Sequence, residues 1–266
     1  MIPDNLVYIA KRLAVSICFC VATLVVDARA SLIISFDDPL TLEDVQTPGA
    51  WYRNRYAPAG FESQIFFDGD NRLRLTISAA DGADHRPSAF STVFYDTQGR
   101  AFDVATDTTF ISADLYIDSS WETTGRRMGG MWGTARTFAN PSANNAFPII
   151  DFTSDNNNPR FRGWSGQFGW LDMGLPTGFT YDSWYTLNIE LVGSDFVYTI
   201  GDLTLSVTAF GSDYIGNVIL HGQNTQAGVD YVMYWDNVTA VPEPTTFAYL
   251  TLSLIALFAA RRRTTT

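Results

Sequence analysis

The chain has 266 residues, a net charge of -11 and an apolar fraction of 46%, a balance that excludes an intrinsically disordered protein. Between residues 31 and 240 there are 11 Arg, no Lys and 25 Asp or Glu, so acidic a segment that it excludes nucleic-acid binding through phosphates. Both cysteines, Cys18 and Cys20, precede this segment, which excludes a disulfide, a thiolate nucleophile or a cysteine-bound metal there.

Residues 1–30 have the three parts of a secretory signal peptide. Lys11 and Arg12 supply positive charge, the run from Leu13 to Val26 is apolar, and Ala28-Arg29-Ala30 has the small residues of a cleavage site. The sequence therefore predicts export, with an uncleaved N-terminal membrane anchor as the alternative.

The segment 31–240 predicts an all-β fold. Apolar and polar residues alternate in short runs separated by Gly, Asn, Asp and Pro, the pattern of half-buried strands. The predicted strands are 31–36, 71–78, 88–96, 109–117, 184–192, 195–200, 203–208, 218–221 and 229–238. Many short strands joined by turns predict one two-sheet antiparallel β-sandwich.

Acidic residues follow the first predicted strand and lie in the last one. Asp37 and Asp38 come directly after the first strand, and Asp236 lies near the end of the last. If these two strands pair, their carboxylate oxygens form a set that suits Ca²⁺. The sequence thus predicts a calcium site, with ordinary turn chemistry of Asp as the alternative.

Three consecutive strand-like runs place aromatic and charged residues at alternate positions. If these runs are neighbours, one face of the sheet carries the residues Trp132, Asp151, Arg162 and Trp164, with Trp170 nearby. Aromatic rings stack on sugar faces, while Asp and Arg hydrogen-bond hydroxyls, so the sequence predicts a carbohydrate-binding patch. The alternative is that these tryptophans belong to the core.

The segment 31–240 lacks a recognisable catalytic motif. Its glutamates, Glu43, Glu62, Glu122 and Glu190, are far apart in sequence, and its histidines are His85 and His221. Glycoside hydrolysis on two-sheet folds normally uses a pair of carboxylates held close together. We therefore expect that the protein is not an enzyme, with an enzyme built on an atypical acid pair, or a structural protein without a ligand, as alternatives.

The later strands resemble the concanavalin A-like, or LamG-like, jelly roll. The resemblance is carried by Trp184-Tyr185-Thr186-Leu187, by the run from Phe196 to Ile200 and by the run from Asp230 to Val238. It spans about residues 105–240. It implies a jelly-roll sandwich, and many proteins of this kind bind glycans on a concave face.

The final segment, 241–266, begins with Val241 and the motif Pro242-Glu243-Pro244. A short apolar segment, 246–260, and the arginines of 261–263 follow. An apolar run before a cationic end predicts a transmembrane helix, although this one is shorter than a comfortable membrane span.

The order of these three parts resembles the PEP-CTERM sorting signal. That resemblance implies an exosortase as a processing partner, transient anchoring in the inner membrane, and release to the cell surface or matrix of a Gram-negative bacterium that makes exopolysaccharide. A plain C-terminal membrane anchor is the alternative. The combined expectation is an exported β-sandwich that binds exopolysaccharide.

Overall fold

The computed structural model describes residues 31–78, 97–123, 127–223 and 230–243, and strands make up most of them. The first nine strands are β1 Leu32–Ile34, β2 Leu42–Glu43, β3 Trp51–Arg55, β4 Gly60–Ile65, β5 Asn71–Ile77, β6 Thr97–Asp103, β7 Thr108–Ile117, β8 Met128–Trp132 and β9 Ala135–Arg136. The others are β10 Ile149–Thr153, β11 Arg160–Ser165, β12 Gly169–Gly174, β13 Ser183–Val192, β14 Asp195–Ile200, β15 Leu203–Thr208, β16 Tyr214–Ile215, β17 Asn217–Gln223 and β18 Tyr231–Pro242. One short helix, α1 Ser120–Thr123, and a 3₁₀ turn, Asp155–Asn157, complete the regular elements.

Two large sheets form the compact unit Ser31–Pro242. The first sheet has the order β15-β14-β13-β7-β18-β5-β4, and β1 also pairs with β18. The second sheet has the order β12-β11-β10-β8-β17-β6-β3-β2. Its strands are antiparallel apart from the short β2–β3 pair. The predicted all-β, two-sheet antiparallel architecture is confirmed, and the arrangement is consistent with a jelly-roll sandwich.

The core lies between the two sheets and follows from the alternation in each strand. In β5, Leu73, Leu75 and Ile77 have no exposed surface, whereas the intervening Arg72 and Arg74 face outward. Burial of an aliphatic side chain stabilises the fold by about 1.5–3 kcal/mol, so three such residues fix which face of β5 is inside.

A tight turn precedes β5. The backbone amide of Phe66 donates to the carbonyl of Asp70, and the amide of Gly69 donates to the carbonyl of Phe66. Gly69 has φ +87°, a conformation that costs glycine little. A tight β4–β5 hairpin is the result.

Several predicted segments fall on residues that the structure does not describe. The signal peptide 1–30, the whole predicted strand 88–96 and the apolar segment 246–260 lie outside the described residues. Within the described part of the chain, no helix is both long enough and apolar enough to cross a membrane.

Candidate functional site

The face of the second sheet that points away from the first sheet carries its own apolar cluster, separate from the core. We call this surface the outer face. The buried members are Tyr52, Ala101, Trp132, Ile149 and Ile219, with Trp164 and Trp170 packed against them. These residues come from seven strands, so only the folded sheet brings them together.

An ion pair lies on this face between β10 and β11, where Asp151 is paired directly with Arg162. Arg162 Nε donates to Asp151 Oδ1 at 2.8 Å, and Arg162 Nη2 donates to Oδ2 at 3.2 Å. Asp151 is fully buried and Arg162 is 5% exposed. A two-pronged contact of this kind fixes the plane of the guanidinium as well as its position.

Two tryptophans extend the face to the edge of the sheet. Trp164 and Trp170 are paired across β11 and β12, with ring centroids 5.3 Å apart and an interplanar angle of 71°. The guanidinium carbon of Arg162 lies 3.9 Å from the Trp170 ring centroid, within cation–π range. Both tryptophans are half-buried, so this end of the face presents aromatic surface to solvent.

His221 lies at the centre of the outer face, where β17 passes between β8 and β6. Its register partners are Gly130 on one side and Gly99 on the other. The imidazole is 4% exposed, and neither Nδ1 nor Nε2 has a hydrogen-bond partner among the residues that the structure describes. Burial, followed by the charges of Arg55 and Arg162, lowers its pKa from 6.5 to about 3, so the ring is neutral at physiological pH.

The two flanking glycines make room for this imidazole. A Cβ at Gly130 would lie 2.7 Å from both His221 Nε2 and the Asp151 Cβ. A Cβ at Gly99 would lie 2.7 Å from the His221 Cβ. The glycines therefore let the imidazole lie close to the sheet, with its Nε2 over β8 and towards Asp151.

Arg55 reaches the same face through an unusual backbone conformation. At φ +59° it occupies the left-handed region, which a non-glycine residue adopts only at a cost in free energy. Its guanidinium carbon lies 4.3 Å from the Trp132 ring centroid, and Nη1 donates to Thr97 Oγ1 at 3.0 Å. The Trp132 ring is in turn 5.7 Å from the His221 ring.

All five residues predicted to bind a ligand lie on the outer face, since β10 is between β8 and β11. They differ in accessibility: Trp132, Asp151 and Arg162 are buried, whereas Trp164 and Trp170 are half-buried. The sequence predicted no role for Arg55 or His221. The only local signal was that Gly99 and Gly130 lie in otherwise ordinary strands, which marks a close approach of another group.

The three residues predicted to bind calcium differ in their burial. Asp37 and Asp38 are exposed after β1, whereas Asp236 is buried in β18 and forms an ion pair with Arg72 at 2.8 Å. Among the described residues, no group of three or more His, Cys, Asp or Glu side chains is arranged to hold a metal ion. Calcium binding therefore stays a prediction.

Asp236 has an unusual electrostatic environment on the outer side of the first sheet. Burial raises its pKa from 3.8 to about 6, although the Asn237 backbone and Arg72 oppose this change, and Asp114 and Asp70 add to it. Within the described part of the chain, Oδ1 of Asp236 has no hydrogen-bond partner. Arg72 also contacts Asp68 and Asp70 in the β4–β5 hairpin, so the buried carboxyl is linked to that turn.

The predicted sorting motif begins inside the last strand. Pro242 is buried, ends β18 and is paired with Thr108, and Glu243 is exposed after it. Pro244 lies outside the described residues. The sandwich thus extends two residues beyond the predicted boundary at 240.

No protein-family model matches the chain, and no curated protein matches it as a relative. Solved structures do align with it. A Bacteroides ovatus glycoside hydrolase of family 16 from a mixed-linkage glucan locus, in complex with its product, has 11% identity and a TM-score of 0.49, covering 79% of this chain and 99% of its own. A Bacillus licheniformis β-glucanase has 12% identity and a TM-score of 0.48, covering 80% and 99%. A family 7 alginate lyase has 10% identity and a TM-score of 0.47, covering 68% and 83%.

The prediction that the protein is not an enzyme is contradicted by these comparisons. The aligned proteins are glucanases and an alginate lyase, matched over most or nearly all of their length. At 10–12% identity the likeness concerns the arrangement of strands and assigns no activity to this chain.

Proposed function

We propose that the protein is a carbohydrate-active enzyme that holds a polysaccharide along the outer face of the second sheet and cleaves it there. Support begins with the half-buried rings of Trp164 and Trp170, which offer stacking surfaces for sugars at the open end of the face. The guanidinium of Arg162, fixed by Asp151, supplies hydrogen-bond donors beside them.

His221 is the single observation that carries the proposal. A buried imidazole with two unpartnered nitrogens costs folding free energy, and such sites are often functional. Because the ring is neutral, His221 is available as a base at physiological pH. Burial is the first cause of the lowered pKa and the charges of Arg55 and Arg162 add to it, so the carboxylate of a bound uronate sugar would offset the second contribution and raise the pKa of His221 from its value in the free protein.

This arrangement differs from a carboxylate-pair glycosidase. Asp151 accepts hydrogen bonds from Arg162 with both of its carboxylate oxygens, so it is committed to an ion pair. Proton transfer by His221 therefore fits the outer face better than an acid pair does. Hydrolysis and elimination at a glycosidic bond can both use such a base. Elimination leaves an unsaturated sugar, so the products distinguish the two reactions.

The test is cleavage of a panel of neutral β-glucans and uronate-containing polysaccharides by the full-length protein. New reducing ends report any cleavage, and ultraviolet absorbance of an unsaturated sugar reports elimination. We expect His221→Gln to lower the rate by roughly 100-fold or more, as for the loss of a general base. Thr204→Ala, at an exposed position of the first sheet, is the control.

A complete absence of cleavage across the panel would refute the enzymatic proposal. Polysaccharide retention without cleavage would then indicate a binding protein, provided that Trp164→Ala weakens it. Trp184→Ala is the control for that variant, because Trp184 is a half-buried tryptophan of the first sheet.

We also propose that the chain is exported and sorted through its final segment, with exopolysaccharide as the natural ligand. The support is the signal-like segment 1–30 and the resemblance of 242–263 to a PEP-CTERM tail. Mass spectrometry of the protein from a strain with and without its exosortase tests this. An intact tail in both strains would contradict it.

A further inference from the structure

A crevice opens at the edge of the sandwich, beside the outer face. It has a volume of about 240 Å³ and lies between the end of β15 in the first sheet and β11 in the second. Its walls include Phe147, Trp164, Tyr198, Val207 and Phe210.

The lining of this crevice carries no ionisable acid or base at physiological pH, in a protein of net charge -11. The phenol of Tyr198 donates to the carbonyl of Trp164 at 2.9 Å, so its polar end is occupied. The side-chain amide of Asn145 donates to the Phe210 carbonyl at 2.8 Å and to the Ser212 hydroxyl at 3.0 Å. What remains for a ligand is mainly apolar and aromatic surface.

The rim of the crevice leaves apolar area in water. Phe210 is 48% exposed and Phe147 is 39% exposed, although the core could have buried rings of this size. Binding free energy is gained in proportion to the apolar surface that a ligand covers, so the rim favours an apolar occupant.

Two residues make the crevice continuous with the proposed polysaccharide site. Trp164 lines the crevice and also contacts Trp170 edge to face on the outer face. Phe147 lines it and lies 6.1 Å from the Trp132 ring, which neighbours His221. A sugar chain on the outer face would therefore pass the mouth of the crevice.

We propose that this crevice binds an O-acyl substituent of the polysaccharide, so that the protein selects acylated sugars. The inference rests on the proposed function, because it places the sugar chain on the outer face. A site below the roughly 300 Å³ of typical ligand pockets suits one group rather than a whole oligosaccharide. An acyl ester is uncharged, compact and apolar, matching the uncharged lining.

The test compares glucose penta-acetate with glucose as probes of the full-length protein, using saturation-transfer NMR and titration. We expect transfer to the acetyl methyl groups in the wild type and at least tenfold weaker binding of glucose. Thr208→Trp introduces a large side chain at the crevice, and Phe210→Ala removes its rim, so both should weaken penta-acetate binding severalfold. Thr204→Trp changes an exposed threonine of the same strand, outside the crevice, and should have no effect.

Equal binding of both probes, or no effect of either crevice variant, would overturn the inference. Thermal unfolding of each variant shows whether it is folded. One variant adds a large side chain to the crevice and the other removes one, so if either fails to fold, the other still tests the inference. Cleavage of the polysaccharide panel is measured separately. Retained cleavage without acetate binding would therefore discard the acyl site while leaving the proposed function intact.

Discussion

Asp151 and Arg162 face each other across β10 and β11 in a two-pronged ion pair that is almost completely removed from water. Burial of such a pair costs desolvation free energy. Removal of one charge destabilises the fold strongly, because the other charge is then buried without a partner. This pair therefore fixes the position of the guanidinium that lies over Trp170.

Asp151→Asn should destabilise the protein by about 3–5 kcal/mol, because the Arg162 guanidinium loses its counter-charge in a buried site. Urea unfolding at neutral pH measures the change. The matched control is Asp172→Asn, which breaks the more exposed Arg160–Asp172 pair on the neighbouring strand. That change should cost no more than about 1 kcal/mol, and equal losses in the two variants would contradict the argument.

The neutral imidazole of His221 should make stability depend on pH. The unfolded chain takes up a proton on this side chain near pH 6.5, whereas the folded protein does so only near pH 3. Because the unfolded state then binds more protons, the contribution of His221 is present above pH 6.5 and is lost as the pH falls towards 3.

Replacement of His221 by Leu should remove that part of the acid sensitivity. The measurement is the free energy of unfolding of wild type and variant at intervals between pH 7 and pH 3. Thr204→Ala changes an exposed residue of the first sheet that does not titrate, so it is the control and should leave the wild-type slope unchanged. A slope that is the same in His221→Leu as in the wild type would show that the imidazole is not neutral in the fold.

Asp236 should change stability with pH in the direction opposite to that of His221. Its folded pKa of about 6 lies above the unfolded value of 3.8, so the folded protein binds the extra proton first. Its contribution to stability is therefore complete below pH 3.8 and is lost as the pH rises through 6. The charged neighbours that shape this behaviour are Arg72, Asp70 and Asp114.

In Asp236→Asn, the gain in stability that wild type shows on acidification between pH 6 and 3.8 should disappear. Chemical unfolding across that interval tests this, with Thr204→Ala as a control at an exposed position of the first sheet. Equal changes in the free energy of unfolding of variant and wild type across this interval would show that the pKa of Asp236 is not raised in the folded protein.

Gly130→Ala should be poorly tolerated although both residues are small. The added methyl group would approach His221 Nε2 and the Asp151 Cβ to 2.7 Å, and the Ile150 carbonyl oxygen to 3.0 Å. Overpacking of this kind costs about 1–3 kcal/mol. Thermal unfolding measures the loss, and Gly216→Ala is the control because its nearest neighbours are 3.4 Å away. Comparable changes at both glycines would show that the imidazole is not held as described.

Periodicity carried most of the information about the fold. The alternation at Leu73, Leu75 and Ile77 predicted the buried face of β5, and the run 109–117 matches β7 within one residue. Local patterns of this kind depend on which side of a strand meets the core, and a single sequence records that directly.

The site was only partly predictable. Alternation placed Trp132, Asp151 and Arg162 on one face once their strands were assumed to be neighbours. The approach of His221 and Arg55 depends on the order of strands in the sheet and on a left-handed backbone at one residue. Neither property leaves a periodic signal, so the charged surroundings of the imidazole emerged only from the three-dimensional arrangement.

The position of β18 has a consequence for how the protein acquires its structure. This last strand lies inside the first sheet and pairs with β1, β5 and β7. The first strands of the unit therefore gain their pairing partner only from its last strand. During synthesis the first sheet cannot close until these final residues have left the ribosome. Such long-range closure is slow, so the first sheet should form late in folding.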